Sequence, residues 1–380
     1  INPNPEAFRQ ADSQRAYLRW SQNRDTMRGR DLRAYLRRSD MEFLQHFLPG
    51  QPLEENGQLS GGLMFSQWQP LGKGSLTWGL DTEYMQGFLR ETQFQDLGPD
   101  SNRPPGKHYD YGVDSLLAAA YAQLDLPLTE TWTLRAGLRI EYLRYDYDNR
   151  MLDGNTREDG SECTSGCLFF RPADRSDDFA ELAPNFGLRY RIDDDSIAWL
   201  TLTRGFRAPQ ATELYRLQSG QAVGDLQPEI MDSIEIGWRR ETRQLSLEAS
   251  AFAMRKDNYI FRDAEGFNVS DGKSEHVGAE LQASWRAESG WFTALAGTWV
   301  RHTYAFDRNL SFGETIRSGD DVDTAPRTLG SARIGYDRGP LLTELEWLHQ
   351  GAYYLNASNT ARYDGHDLAN LRVVWRPVDN

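Results

Sequence analysis

The chain has 380 residues, a formal net charge of −14, 39% hydrophobic residues and only two cysteines. An acidic chain lacks the basic face that nucleic-acid binding requires, and two cysteines cannot form a disulfide framework. The longest clearly apolar run, residues 116–122, is about a third of the roughly 20 residues that a helix needs to cross a bilayer. A chain of this kind could span a membrane only as a closed β-barrel, because lipid offers no partner for unpaired backbone groups.

Apolar and polar residues alternate with a period of two along much of the chain. The clearest segments, in chain order, are residues 134–142, 233–239, 245–251, 277–285 and 371–376. Within residues 233–239, Ile234, Ile236 and Trp238 share one face, and Glu235 and Arg239 share the other. Successive side chains of a strand point to opposite faces, so the pattern predicts β-strands rather than helices. Charged residues in mid-strand indicate that the polar face lines a wet lumen.

The connections between the predicted strands alternate in length. Short links are expected at residues 71–74, 126–130, 193–195, 241–243, 287–290 and 337–340. Long links are expected at about residues 45–58, 91–111, 149–176, 207–227, 261–272, 307–324 and 356–364. This alternation is typical of an antiparallel up-and-down transmembrane barrel, which has tight periplasmic turns and long extracellular loops. The fold class predicted is therefore all-β, with about 15 strands of roughly 10–16 residues, the last over about residues 365–377.

The two cysteines, Cys163 and Cys167, lie four positions apart in a stretch rich in Gly, Ser and Asp. We expect them to form a small disulfide that closes a loop in an oxidising compartment. A metal site would need further thiols or histidines nearby, and a thioredoxin-type redox pair would have two intervening residues rather than three.

Several phrases in a fixed order resemble the barrel of TonB-dependent outer-membrane receptors. The most recognisable is the segment from Arg204 to Tyr215, and the others are residues 226–229, 233–237, 257–260, 278–280, 325–326 and 363–372. The resemblance implies a 22-stranded barrel filled by an N-terminal plug. On this interpretation residues 1–380 are one barrel domain truncated at both ends, without the plug, the TonB box, about five N-terminal strands and two C-terminal strands.

What the resemblance implies about function is active import of a scarce, bulky nutrient across the outer membrane of a Gram-negative bacterium. Ferric siderophore is the commonest cargo of such receptors, and cobalamin, haem, other metal chelates and oligosaccharides are the alternatives within the family. The implied partners are the chelate, TonB acting through the plug, and outer-membrane lipid and lipopolysaccharide. We expect a monomer, no cofactor and no enzymatic activity. A passive porin and an outer-membrane barrel enzyme are the competing classes.

Seven residues are candidates for contact with the cargo because guanidinium groups bind anions and aromatic rings stack. They are Arg204, Arg207, Tyr215, Arg216, His108, Tyr84 and Phe88. The competing interpretation is structural: the segment from Arg204 to Tyr215 shapes a strand-to-loop bend, His108 is a solvated loop residue, and Tyr84 and Phe88 belong to an aromatic girdle. The six histidines show no spacing typical of a metal site, so we predict none.

Overall fold

A computed structural model describes residues 6–25, 27–221 and 226–376. Among these residues, no helix has both the length and the apolar character needed to cross a membrane. The main body is one antiparallel sheet of 15 strands in which each strand pairs with its neighbours in sequence. The predicted strand number and the up-and-down topology are therefore confirmed.

The first eight strands are β1 (Arg9–Asp25), β2 (Arg28–Leu44), β3 (Leu53–Leu71), β4 (Gly74–Gln93), β5 (Gly106–Pro127), β6 (Trp132–Asn149), β7 (Arg175–Arg191) and β8 (Ser196–Arg207). The other seven are β9 (Glu229–Glu241), β10 (Leu245–Arg262), β11 (Asn268–Arg286), β12 (Trp291–Tyr304), β13 (Thr328–Arg338), β14 (Leu341–Gln350) and β15 (His366–Trp375). The edges of the sheet are β1 and β15, which do not pair with each other within the described residues.

Short turns and long loops alternate as predicted, so one end of the sheet carries the turns and the other carries the loops. Short turns need backbone conformations that glycine adopts most readily. Gly72 and Gly339, both at a φ of 60°, lie in two of them. The strands reach further into the predicted loops than expected, since β4 continues to Gln93 and β5 already starts at Gly106. Several strands therefore exceed the predicted 10–16 residues, and β5 has 22. The end of the last predicted strand, Pro377, lies outside the described residues.

The two faces of the sheet differ in character. On β4, Leu80, Tyr84 and Phe88 have one parity, while Asp81 and Glu83 have the other. On the face of Asp81 and Glu83, ion pairs cross between strands, with N–O distances of 2.6 Å for Arg139–Asp81 and 2.7 Å for Arg37–Glu83. On the opposite face, large apolar side chains such as Leu80 are exposed. We call these the polar face and the apolar face.

Most deeply buried side chains lie at the loop end rather than in the middle of the sheet. The largest cluster joins the loop-side ends of β4–β6 to the loops. It comprises Leu89, Tyr109, Tyr111, Val113, Tyr147, Cys163, Cys167, Phe169, Leu214, Tyr215 and Leu226. A two-residue strand pair, Phe169–Phe170 with Leu217–Gln218, links the loop after β6 to the loop after β8. These loops therefore form a packed layer over the end of the sheet.

Candidate ligand-binding site

A buried ionic cluster lies where the packed loops meet β3 and β4. The described part of the loop at residues 208–228 contains one short helix, α1 (Ala211–Tyr215), and the next residue, Arg216, reaches the sheet. Its guanidinium Nη1 lies 2.9 Å from Oε2 of Glu54 and its Nη2 contacts Oε2 of Glu91. Burial alone would lower the pKa of Arg216, but the two carboxylates raise it above its usual value. The arginine therefore stays charged and joins the loop to the wall of the sheet.

His108 belongs to this cluster because of an irregularity in the sheet. The register between β4 and β5 shifts after Glu91, which leaves His108 as an extra, unpaired strand residue. Such a bulge changes the direction of a side chain without ending the strand. The His108 ring is buried, its Nδ1 lies 2.9 Å from Oε1 of Glu91, its Nε2 lies 2.9 Å from the carbonyl of Pro104, and it stacks on Phe169 at 4.5 Å between centroids. The structure thus places His108 inside the loop layer rather than in solvent.

A cavity of about 270 Å³ opens beside the cluster. Its lining comes from four loops and the adjoining strand ends, and comprises Gln45, Phe47, Leu48, Glu91, Arg103, His108, Tyr109, Leu168, Phe169, Arg216, Gln218 and Arg262. Within the described part of the chain, the guanidinium groups of Arg103 and Arg262 have no carboxylate partner. With Arg216, three cations line the cavity against one lining carboxylate, that of Glu91. The site is locally positive in a chain whose net charge is −14.

Arg207 and Tyr215, two of the sequence-based candidates, lie in the framework beneath the loop. The Arg207 guanidinium lies 2.9 Å from Glu213 in α1 and 2.9 Å from Glu229 at the start of β9. The Tyr215 hydroxyl donates to Asp177 at 2.8 Å, and the side chain is fully buried. Burial raises the pKa of Tyr215 well above its usual value. Both side chains are fully engaged in fixing the loop to the sheet.

Three other candidates lie on the opposite face of the sheet from the cavity. Arg204 alternates in phase with Leu200 and Leu202 on β8, so it lies on the apolar face. It forms a bidentate ion pair with Asp232, with N–O distances of 2.7 and 2.8 Å. Tyr84 and Phe88 share the apolar face of β4, where both are exposed. Of the seven candidates, the structure brings together Arg216 and His108 at the cavity and separates the rest from it.

The loop at residues 150–174 contains a buried cation that the sequence analysis did not identify. The Arg171 guanidinium donates to the carbonyl oxygens of Leu152, Thr156 and His108 at 2.7, 2.7 and 3.2 Å. Burial lowers the pKa of Arg171, since desolvation disfavours the charged guanidinium. No carboxylate among the described residues contacts it to offset this effect. A second restraint in this loop is a disulfide bond between Cys163 and Cys167. This loop, which lines the cavity with Leu168 and Phe169, is therefore held in place by the Arg171 hydrogen bonds and the disulfide bond.

Two histidines that are far apart in sequence meet on the polar face. His276 on β11 and His302 on β12 are register partners, and their Nδ1 atoms lie 2.7 Å apart. Sequence spacing gave no sign of this pair, because only the strand register joins positions 26 residues apart. In the described ranges, no group of three or more His, Cys, Asp and Glu residues forms a potential metal site.

Comparison with known proteins gives a consistent result. The family profile described as "TonB dependent receptor-like, beta-barrel" matches residues 2–380. Among curated proteins, the pesticin receptor of Yersinia enterocolitica (strain 8081) is 21% identical over 266 residues, which cover 69% of this chain and 37% of that protein. The pesticin receptor of Yersinia pestis is also 21% identical over 266 residues, covering 69% of this chain and 37% of that protein.

Solved structures with the same fold include two iron-uptake proteins. The ferric yersiniabactin uptake receptor FyuA from Yersinia pestis superposes with a TM-score of 0.74 at 16% identity, covering 98% of this chain and 55% of that one. The ferric citrate transporter FecA superposes with a TM-score of 0.74 at 17% identity, covering 97% of this chain and 55% of that one. At these identities the superpositions show the fold alone. The chain spans between a third and three fifths of the length of these relatives.

Proposed function

Because the chain belongs to the TonB dependent receptor-like β-barrel family, we propose that it is part of a receptor that actively imports an anionic iron chelate, most specifically a ferric siderophore. Family membership confirms the predicted fold class and the outer-membrane localisation, and this family consists of receptors rather than enzymes. The chelate, TonB and the surrounding lipid are the proposed partners of the whole receptor. We assign energy coupling to a plug outside these residues, an assignment supported by the greater length of the relatives.

The observation that carries the proposal is the pair of arginines beside Arg216, namely Arg103 and Arg262, which have no carboxylate partner among the described residues. Arg103, Arg216 and Arg262 come from three different long loops or strand ends and face one cavity. A guanidinium offers a planar fork of donors that matches carboxylates and catecholates. In a protein that is acidic overall, keeping two cations without carboxylates at the wall of one cavity favours an anionic ligand at this position.

The size of the cavity limits what it could hold. At about 270 Å³ it lies below the usual 300–1,000 Å³ of a site that encloses a drug-sized ligand. We therefore propose that it receives one anionic arm of a larger chelate, with Tyr109 and Phe47 providing aromatic contact. The names of the structural neighbours include ferric yersiniabactin and ferric citrate, which supports iron chelates as the cargo class.

The test is uptake by the full-length receptor in an outer membrane without other iron receptors. Cells receive a panel of siderophores loaded with radioactive iron, with and without a functional TonB. Uptake of one chelate that requires TonB would support the proposal. Failure to take up iron from any chelate would remove the siderophore assignment and move cobalamin, haem or an oligosaccharide to the front, and flux that does not require TonB would indicate a porin.

Two variants test the site itself. We expect Arg103→Ala and Arg262→Ala to weaken binding of the imported chelate by about tenfold or more each, because each removes a charge-assisted contact. Arg204→Ala is the matched control, since this arginine lies on the apolar face. Wild-type affinity in Arg103→Ala and Arg262→Ala, as in the control Arg204→Ala, would exclude the cavity as the anion site. The import proposal would remain intact.

A further inference from the structure

Three potential metal donors lie in one row on the polar face of β10, β11 and β12. Met254 is the register partner of His276, and His276 is the register partner of His302. Directly opposed residues on neighbouring strands have Cβ atoms about 4.5–5.5 Å apart, so Met254 and His302 flank His276 from its two sides. The two imidazoles already meet, with an Nδ1–Nδ1 distance of 2.7 Å.

The second ring nitrogen of His276 is bound in the way that a metal-binding histidine requires. Its Nε2 lies 3.0 Å from the hydroxyl of Ser274, which is buried. Ligating histidines generally donate their other N–H to a nearby acceptor, which fixes the ring and the tautomer. With Nε2 of His276 donating to Ser274, its Nδ1 accepts a hydrogen bond from Nδ1–H of His302. A metal ion between the two rings would replace that hydrogen, with the proton of His302 carried on Nε2 instead.

The sheet is closely packed next to the pair on the same face. Gly278 follows His276 on the same face of β11, and a Cβ there would come within 2.8 Å of Phe252 and Val300. The absence of a side chain lets these two residues pack over Gly278, and both are buried. Met254, His276 and His302 themselves are only half-buried, so the row is open on the lumen side.

Two charged groups near the row are each paired with a group of opposite sign. The ammonium of Lys256, two positions after Met254 on β10, is paired with Glu229 at 2.8 Å. On the other side, Asp321 forms a backbone bridge with Thr303, next to His302, and its carboxylate is paired with Arg327 at 2.6 Å. Both of these charged groups therefore have a partner of opposite sign.

We propose that Met254, His276 and His302 bind one copper ion, in the cuprous state. A thioether is a soft ligand that selects Cu(I), and imidazole suits copper as well. Two nitrogen ligands at about 2.0 Å from a metal with three donors stand roughly 3.5 Å apart at the trigonal angle, so the two Nδ1 atoms, now 2.7 Å apart, need to separate by about 0.8 Å. The site lies on the wall of the sheet and shares no residue with the arginine-lined cavity, so it does not depend on the proposed import of a chelate.

The experiment measures Cu(I) binding to the purified full-length receptor in detergent, buffered by a chromophoric Cu(I) chelator. We expect one Cu(I) per chain in the wild type. His276→Gln and His302→Gln should each lower the affinity by at least about tenfold, since even the loss of an outer-sphere partner costs that much. Met254→Leu should weaken Cu(I) while leaving Zn(II) binding unchanged, because zinc does not use the thioether.

The control is His349→Gln, which removes another strand histidine whose partners, Thr328 and Asp367, lie on the apolar face. It should bind Cu(I) like the wild type. Equal affinities in the wild type and both histidine variants, or no stoichiometric copper in the wild type, would overturn the proposal. If a histidine variant does not fold, as judged by the heat-dependent shift of the barrel in gel electrophoresis, the volume-conserving Met254→Leu decides: unchanged Cu(I) affinity would overturn the site.

Discussion

Replacing Arg216 by methionine tests whether the buried ionic cluster holds the loop at residues 208–228 on the sheet. The guanidinium is shared by Glu54 and Glu91, whose side chains are 11% and 4% exposed. Removing one partner of a buried pair costs about 3–5 kcal/mol, because the other charge stays buried without compensation. Glu91 keeps His108 at 2.9 Å and Glu54 keeps Gln45 at 2.7 Å, so we expect the lower end, about 3 kcal/mol.

Hydrogen exchange in the full-length receptor measures this cost where it arises. If opening of the loop becomes easier by about 3 kcal/mol, amides at residues 211–218 and 107–111 should exchange roughly two orders of magnitude faster. The matched control is Arg204→Met, whose partner Asp232 lies on the apolar face of the sheet. Arg204 lies on the opposite face of the sheet from the loop layer and pairs only across two strands with Asp232 among its described contacts, so the loop amides should not respond.

A double variant separates charge burial from loss of packing. Arg216→Met leaves the carboxylates of Glu54 and Glu91 buried without their arginine. Adding Glu91→Gln removes one of these two charges, so exchange of the loop amides should slow again relative to the single variant. Exchange within about threefold of the wild type in Arg216→Met would refute the assignment of this arginine as the anchor of the loop. A double variant that exchanges faster than the single variant would refute buried charge as the cause.

Three further predictions concern the sheet and its loops. Ile236→Arg, on the apolar face, should lower the free energy of unfolding by about 2–4 kcal/mol, measured by urea unfolding and refolding in lipid vesicles, whereas Ser250→Arg on the polar face should be nearly neutral; equal costs would contradict the assignment of the faces. Gly237→Ala should cost about 1–3 kcal/mol in the same assay, because its Cβ would lie 2.1 Å from the Trp199 ring; an unchanged value would show that the indole can move freely. Cys163→Ser opens a loop closed across four positions and should cost roughly 2 kcal/mol, seen as faster proteolysis within residues 150–174 with no change in the sheet; wild-type protease resistance would contradict this.

The sequence by itself determined the strands, their antiparallel order and the difference between the two ends of the sheet. Strand alternation has a period of two, and that period is local, so it can be read without knowing which strands meet. The same parity also contained information that the prediction of ligand contacts did not use. Arg204 alternates in phase with Leu200 and Leu202, and Tyr84 with Leu80, and this parity alone is enough to assign both residues to the apolar face.

Only the tertiary structure decided which charged and ligating groups meet. Arg216 and Glu54 are 162 residues apart, and the contact depends on how one long loop folds back over the end of the sheet. His108 reaches Glu91 because of a single bulge, and His276 reaches His302 through the register of two strands. A shift of one residue in register would move every side chain of a strand to the other face. The framework of this protein therefore follows from short-range alternation, whereas its candidate sites follow from register and loop packing, which no local pattern encodes.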